Sequence, residues 1–452
     1  MSFLIGGFDN GEPYGRVYEA AVPTNPSPIE KPPFAPGPGA RQAHGNARCI
    51  RVPVRSEWRP SISCHVHFVR NRQMGVSTAR KRRRGLSMGR AKGLKQTGHL
   101  DSLDGIRALA IGAVFLLHAD EKHFPGGFLG VDVFFVLSSY LITSILLRER
   151  QGRGRVDYAA FYWRRFFRLA PALVLWLAVF AMPTAILAHQ ASKIPISTTG
   201  ALLYFNDFLE AFSKIGTAYD QTWSLSVEEQ FYIIWPFLFA LAVGRLTSIG
   251  LRRAMIGFVG ISLVIWLTVG NYSLPTGHLV PLALGCWAAC WSIQARGTSR
   301  LTPVLRDQRL ALVCLALFVP ALLVAEPGDA LDLLIYVAAT ALLLHCTLDA
   351  GSFVSRVLAT PVPRWIGVRS YGIYLYGLTL LQLVPLVTHL TLHETLPLDV
   401  VVIAVVVALS YRFAEAPFRS WGRAWLARRG EVESSDAELG LLGMAEERDD
   451  RD

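Results

Sequence analysis

The chain has 452 residues, of which 52% are hydrophobic and only 17% charged, and it carries a formal charge of +11. Its apolar residues gather into blocks too long for the core helices of a soluble domain, so the expected partner is a lipid bilayer. The positive charge lies in the N-terminal region and the loops and matches no base-reading module, which argues against nucleic acid as a partner.

Residues 1–98 are rich in Pro and Gly, then basic, with no sustained helical or strand period, and are expected to form a disordered basic extension. Met74 and Met88 lie within it, so the native start codon is left open. The run Cys64-His65-Val66-His67 brings ligand types together, but without a spaced partner it falls short of a metal centre, and no metal is expected. Arg80-Lys81-Arg82-Arg83-Arg84 precedes the first apolar block and has the character of a cytoplasmic anchor rather than a cleavable signal.

The expected fold is all-α, a polytopic helical bundle over residues 99–420. Ten spans fall near 103–120, 128–147, 167–188, 226–243, 255–270, 278–295, 309–325, 331–347, 366–388 and 397–414. Each is about the 20 apolar residues needed to cross the hydrocarbon with its backbone satisfied internally. Arg148, Arg150, Arg153 and Arg155 follow the second span, Arg245, Arg252 and Arg253 the fourth, Arg296, Arg300 and Arg306 the sixth, and Arg356 and Arg364 the eighth. These loops alternate with loops poor in basic residues, so both termini are expected in the cytoplasm of a multi-pass plasma (inner) membrane protein. Cys286, Cys290, Cys314 and Cys346 fall in apolar blocks, where a thiol acts as a small hydrophobe. Residues 421–452 end in an acidic, solvated tail with no expected chemistry.

Ionisable residues inside spans are costly and usually face a polar interior. In the first span, His118 follows Arg107 by eleven positions, about 1100° of helical rotation, so the two share a face about 16 Å apart along the axis. Each also has a bland explanation, a snorkelling Arg and an interfacial His. Arg164, Arg165 and Arg168 stand at the cytoplasmic entry to the third span, where they suit topology and lipid headgroups or the phosphates of a ligand. Ser226 and Glu229 have the spacing of a capping box opening the fourth span. Glu228 begins an inward stripe with Phe231, Tyr232 and Trp235, from which it could bond an Arg or His. Asp132 favours the N-terminus of the second span or organises a site. Ser370, Tyr371 and Tyr374 open the ninth span, where tyrosines also anchor at the interface.

The run Leu103-Asp104-Gly105-Ile106-Arg107-Ala108 through His118 resembles the acyltransferase 3 family of integral membrane proteins. So do Gly126 to Ser138, Phe161-Tyr162-Trp163-Arg164-Arg165 with Arg168 and Pro171, Trp223 to Tyr232, Ser370 to Leu375, and Glu415-Ala416-Pro417-Phe418. These motifs stand in family order. The resemblance implies transfer of an acyl group from an acyl-CoA, commonly acetyl-CoA, used as a substrate rather than a resident cofactor. The implied acceptor is a hydroxyl of an envelope carbohydrate or similar glycoconjugate. His118 would then be the general base, Arg107 its organising partner, and Arg164, Arg165 and Arg168 the donor entrance. Glu228 and Asp132 complete the expected catalytic group, and Ser370, Tyr371 and Tyr374 the acceptor side. Ser139 replaces a usual glycine, His278 a usual arginine and Gly377 a usual histidine, so a catalytically silent member is one alternative. A transporter or flippase-like protein is the other, because intramembrane Arg, His and Glu also line substrate paths.

Overall fold

The computed structural model describes residues 7–9, 12–14, 100–212, 217–219, 221–269, 272, 274–294 and 299–428. Two units divide the chain, Met1–Leu94 and Lys95–Asp452. In the first, β1 (Gly7–Asp9) pairs antiparallel with β2 (Glu12–Tyr14), Phe8 opposite Pro13. No strand was expected there. The dipeptide between them, Asn10-Gly11, is a strong short hairpin signal that a search for longer periods passes over. The expected disorder of the extension, the Cys64-His65-Val66-His67 run and the tail beyond 428 lie outside the described residues.

The second unit is all-α where described. Its long helices are α1 (Asp101–Ala119), α2 (Leu129–Arg153) and α3 (Tyr158–Leu187). Two short helices follow, α4 (Ile194–Leu203) and α5 (Asn206–Phe212), then α6 (Thr222–Arg245), α7 (Ser248–Val269) and α8 (Leu279–Gln294). After the short α9 (Leu301–Arg306) come α10 (Gln308–Val324) and α11 (Ala330–Leu348). The short α12 (Phe353–Leu358) and α13 (Pro361–Val368) lead into α14 (Ser370–Thr388) and α15 (Leu392–Arg428). Among the described residues nine of these are long and apolar enough to cross a membrane, and α10 is a shorter apolar helix of the same kind. Each expected span therefore has its helix, in a polytopic bundle.

Helix ends differ from the hydropathy edges for a physical reason. α3 begins at Tyr158, capped by Asp157, whose side chain accepts from the Ala160 N–H at 3.0 Å, and its first turns carry the arginines that a hydropathy window rejects. α6 begins at Thr222. Ser226 is therefore inside the helix, donating to the Thr222 carbonyl at 3.0 Å and accepting from the Asn206 N–H at 3.1 Å. The expected capping box is thus corrected, and a capping box stands instead at Thr391 and Glu394 of α15.

α2 is the most buried of the nine long helices and α7 the least. Gly130 lets α2 approach the α1 backbone at Ala110, and Gly285 lets α8 approach α2 at Val136. Small residues at such crossings admit the close van der Waals packing that drives association in lipid. Across α6, Tyr232 and Trp235 are buried while Ile233, Ile234, Phe237 and Leu238 are exposed, which is the division between bundle and lipid expected of a spanning helix. π-helical turns interrupt α3 at Leu177–Ala181, α14 at Ile373–Gly377 and α15 at Tyr411–Glu415.

Candidate active site

A pocket opens where α1, α2, α3, α6 and α14 converge. Arg107, Ser138, Arg165, Arg168, Glu228, Tyr232, Ser370, Tyr371 and Tyr374 give it polar walls, and Phe134, Phe135, Leu141 and Leu169 line the apolar side. Five helices far apart in sequence thus bring most of the expected site residues to one cavity.

Two of the pocket's three arginines, Arg107 and Arg165, are held by acids placed to meet them. Arg107 donates from Nη1 to Asp104 Oδ1 at 2.9 Å, one turn back on α1. Arg165 reaches Glu229 Oε1 with both Nε and Nη2 at 3.2 Å, and its guanidinium lies over the Tyr232 ring. Glu229 is therefore an ion-pair partner rather than a helix cap. Glu228 accepts from the hydroxyls of Ser138 and Tyr232, not from an Arg or His as expected. Tyr374 donates to the Gln221 carbonyl at 2.5 Å and Tyr371 to the Leu169 carbonyl at 3.2 Å, so both rings are fixed inside the bundle rather than at the interface. Arg168 lines the pocket beside Arg107, Arg165 and Arg419, and its Nε is buried without a hydrogen-bond partner among the described residues.

Three expected residues lie elsewhere. His118 is exposed near the end of α1, outside the lining, with Nδ1 2.8 Å from the Val114 carbonyl. That carbonyl can only accept, so Nδ1–H donates to it. Arg164 is buried off the lining, and its Nη1 and Nη2 find no hydrogen-bond partner among the described residues. A step of 100° around α3 separates it from Arg165. Asp132 is fully buried behind the Phe135 wall, 2.7 Å from His278 Nδ1, while His278 Nε2 meets the Tyr272 carbonyl at 2.6 Å. Nε2 must donate to that carbonyl, so a second proton is shared between Nδ1 and the carboxylate. His278 also stacks on Trp223 with centroids 5.2 Å apart. The departure from arginine thus keeps a nitrogen donor against Asp132. Gly377 faces Ile403 and Ile373 and does not line the pocket.

Sequence reasoning read Glu229 as a cap and gave no place in the site to Ser138 and Ser224, which line the pocket, or to Gln221, which holds Tyr374. The signal for Ser138 and Glu228 is their placement inside apolar helices opposite each other, which needs the α2–α6 contact to be known.

This is a polytopic membrane protein whose helices enclose an arginine-walled, carboxylate-bearing pocket. The acyltransferase domain profile, acyltransferase 3, matches residues 100–414, and the chain belongs to that family. It is 31% identical over 73% of its length to a putative peptidoglycan O-acetyltransferase of Bacillus subtilis and 29% over 72% to the peptidoglycan O-acetyltransferase of Listeria monocytogenes. A putative O-acetyltransferase of Staphylococcus aureus is 28% identical over 74% of the chain. The matches cover 56%, 56% and 60% of those proteins' own lengths. No solved structure matches.

Proposed function

We propose that the protein transfers an acyl group, acetyl by the names of its relatives, from an acyl-CoA to a hydroxyl of an envelope carbohydrate such as a glycan. The observation that carries this reading is the meeting of Arg107, Arg165, Arg168 and Glu228 in one pocket of a chain that matches the acyltransferase profile. Guanidinium groups suit the phosphates of coenzyme A. An acceptor hydroxyl attacks the thioester carbonyl as a base takes its proton, a C–O bond forms, the C–S bond breaks, and the departing thiolate takes up a proton. His118 is the assigned base, because its imidazole is exposed near the end of α1 and the unperturbed pKa of histidine lies near neutrality. Its position about 16 Å along α1 from Arg107 suits a donor with an anionic head and a long uncharged arm ending in the thioester. Arg107 orients the donor, and Ser370, Tyr371 and Tyr374 shape the wall opposite. Asp132, behind the Phe135 wall, holds His278 and touches neither substrate.

A second assignment of the base rests on the pocket itself, which is lined by Glu228 and not by His118. Assaying acyl transfer from acetyl-CoA by His118→Ala and Glu228→Gln, each checked for insertion, decides between them. Loss of transfer in the His118 variant with retained donor binding supports the first reading. No transfer by the wild type to any envelope glycan would overturn the proposed activity.

A further inference from the structure

Of the hydroxyl side chains that line the pocket, all but Ser370 direct their proton to the protein itself. Ser138 and Tyr232 donate to the same oxygen of Glu228, Oε1. Tyr371 donates to the Leu169 carbonyl at 3.2 Å and Tyr374 to the Gln221 carbonyl at 2.5 Å. A carbonyl can only accept, so the one proton of Tyr374 is taken. Its 2.5 Å contact with Ser224 Oγ must then run the other way, with Ser224 donating to the phenol oxygen. The other acceptor within reach of Ser224 is the Gln221 carbonyl at 3.4 Å, so its proton is turned to the protein in either case.

This order is held from behind. Gln221 Nε2 and Trp176 Nε1 each donate to Thr379 Oγ1 at 2.9 Å, and Thr379 gives its own proton to the Leu375 carbonyl at 3.1 Å. What Ser224 offers the cavity is therefore a lone pair. Glu228 follows four residues on along α6, so the two side chains neighbour each other on one helical face, about 5–6 Å apart, and both line the pocket. The α6 wall thus presents acceptors, whereas the charged donors of the pocket are Arg107, Arg165 and Arg168. Anionic groups suit the arginines; a neutral group that suits the α6 wall must bring its own O–H. We propose that Ser224 is a specificity-determining residue that accepts a hydrogen bond from a second hydroxyl of the acceptor, beside the one that is acylated. The acceptor is then a polyhydroxylated molecule such as a sugar ring, not a simple alcohol. This assignment rests on the proposed acyl transfer to a hydroxyl.

The test measures acetyl transfer from acetyl-CoA by the purified full-length protein to methyl glucoside and methyl N-acetylglucosaminide, each with its monodeoxy and monodeoxyfluoro derivatives. At one ring position that is not acylated, hydrogen in place of the hydroxyl is expected to raise the wild type's KM for the sugar roughly tenfold, the scale of one hydrogen bond, with kcat little changed. Fluorine at that position should restore nothing, because it cannot donate. Ser224→Ala should show the same roughly tenfold rise with the parent sugar and no further rise with the derivative, since the two changes remove one interaction. Ser224→Thr, which keeps the oxygen, should keep the discrimination. The assignment is overturned if the wild type takes every monodeoxy derivative as well as the parent, if the fluoro derivative recovers the parent's KM, or if Ser224→Ala adds its loss to that of the derivative. Acylation of isolated envelope glycan but of neither free sugar overturns it as well. Transfer to neither glycan nor sugar is the failure of the proposed activity itself and takes this assignment with it.

Discussion

At the scale of single residues, the distinction is between groups assigned to the reaction and groups that hold others in place. His118 makes the sharpest case. Removing a general base typically costs about 10²–10⁴ in rate. His118→Ala and His118→Gln should therefore both insert, bind acyl-CoA, and lose nearly all transfer, since an amide can bond the acceptor but cannot take its proton. Near-wild-type transfer by either would move the base to Glu228. Asp132 makes the opposite case. With His278 it forms a fully buried pair, and breaking such a pair costs about 3–5 kcal/mol. Asp132→Ala should lower the melting temperature of the detergent-solubilised protein, and Asp132→Ala/His278→Phe should recover part of the loss because no buried donor is left alone. A single variant as stable as the wild type would show that the pair contributes nothing to folding.

Among the elements, α3 explains why some of the site was legible and some was not. Arg164, Arg165 and Arg168 stand out in any reading of the sequence, but hydropathy starts the span at 167 and leaves Arg164 and Arg165 before it, whereas the helix begins at Tyr158 and carries Arg165 and Arg168 into the pocket wall. The same limit misplaced Glu229: its spacing from Ser226 fits a cap, and only the meeting of α3 with α6 turns it toward Arg165. The ten apolar segments were legible because lipid forces each to be a nearly self-contained helix; the pairing of helices was not, since it depends on shape at crossings such as Gly130 on Ala110. Replacing Arg164 and Arg165 together by Gln should raise the apparent Michaelis constant for acyl-CoA roughly tenfold. Unchanged donor saturation in correctly inserted protein would leave those two arginines with topology alone.

For the whole molecule, we propose an orientation from charge. The turn between α2 and α3 and the turn between α6 and α7 adjoin Arg150, Arg153, Arg155, Arg245, Arg252 and Arg253, and by the positive-inside rule both are expected in the cytoplasm. Single cysteines introduced at positions 155 and 247 should resist a membrane-impermeant thiol reagent applied to intact cells and react after permeabilisation. Labelling in intact cells at either position would invert the assignment. Inversion would also move the arginine end of the pocket to the compartment that lacks acyl-CoA.

One helix in the bundle also bears on the lipid around it. α10 has 17 residues, about 26 Å of helix, against a hydrocarbon slab of about 30 Å. Such a hydrophobic mismatch is met by local thinning of the bilayer or by flanking side chains that reach for the headgroups. Arg309 at one end of α10 can do so, but Ala321 and Ala325 near the other end are buried against Gly126 at the approach to α2. That end is pinned in depth, and the adjoining leaflet must come to it. The protein is therefore expected to carry its own shallow patch of membrane, on the flank where α10 packs beside α11, and should work best in bilayers whose acyl chains are short enough to match it; equal transfer rates in short-chain and long-chain vesicles would refute this.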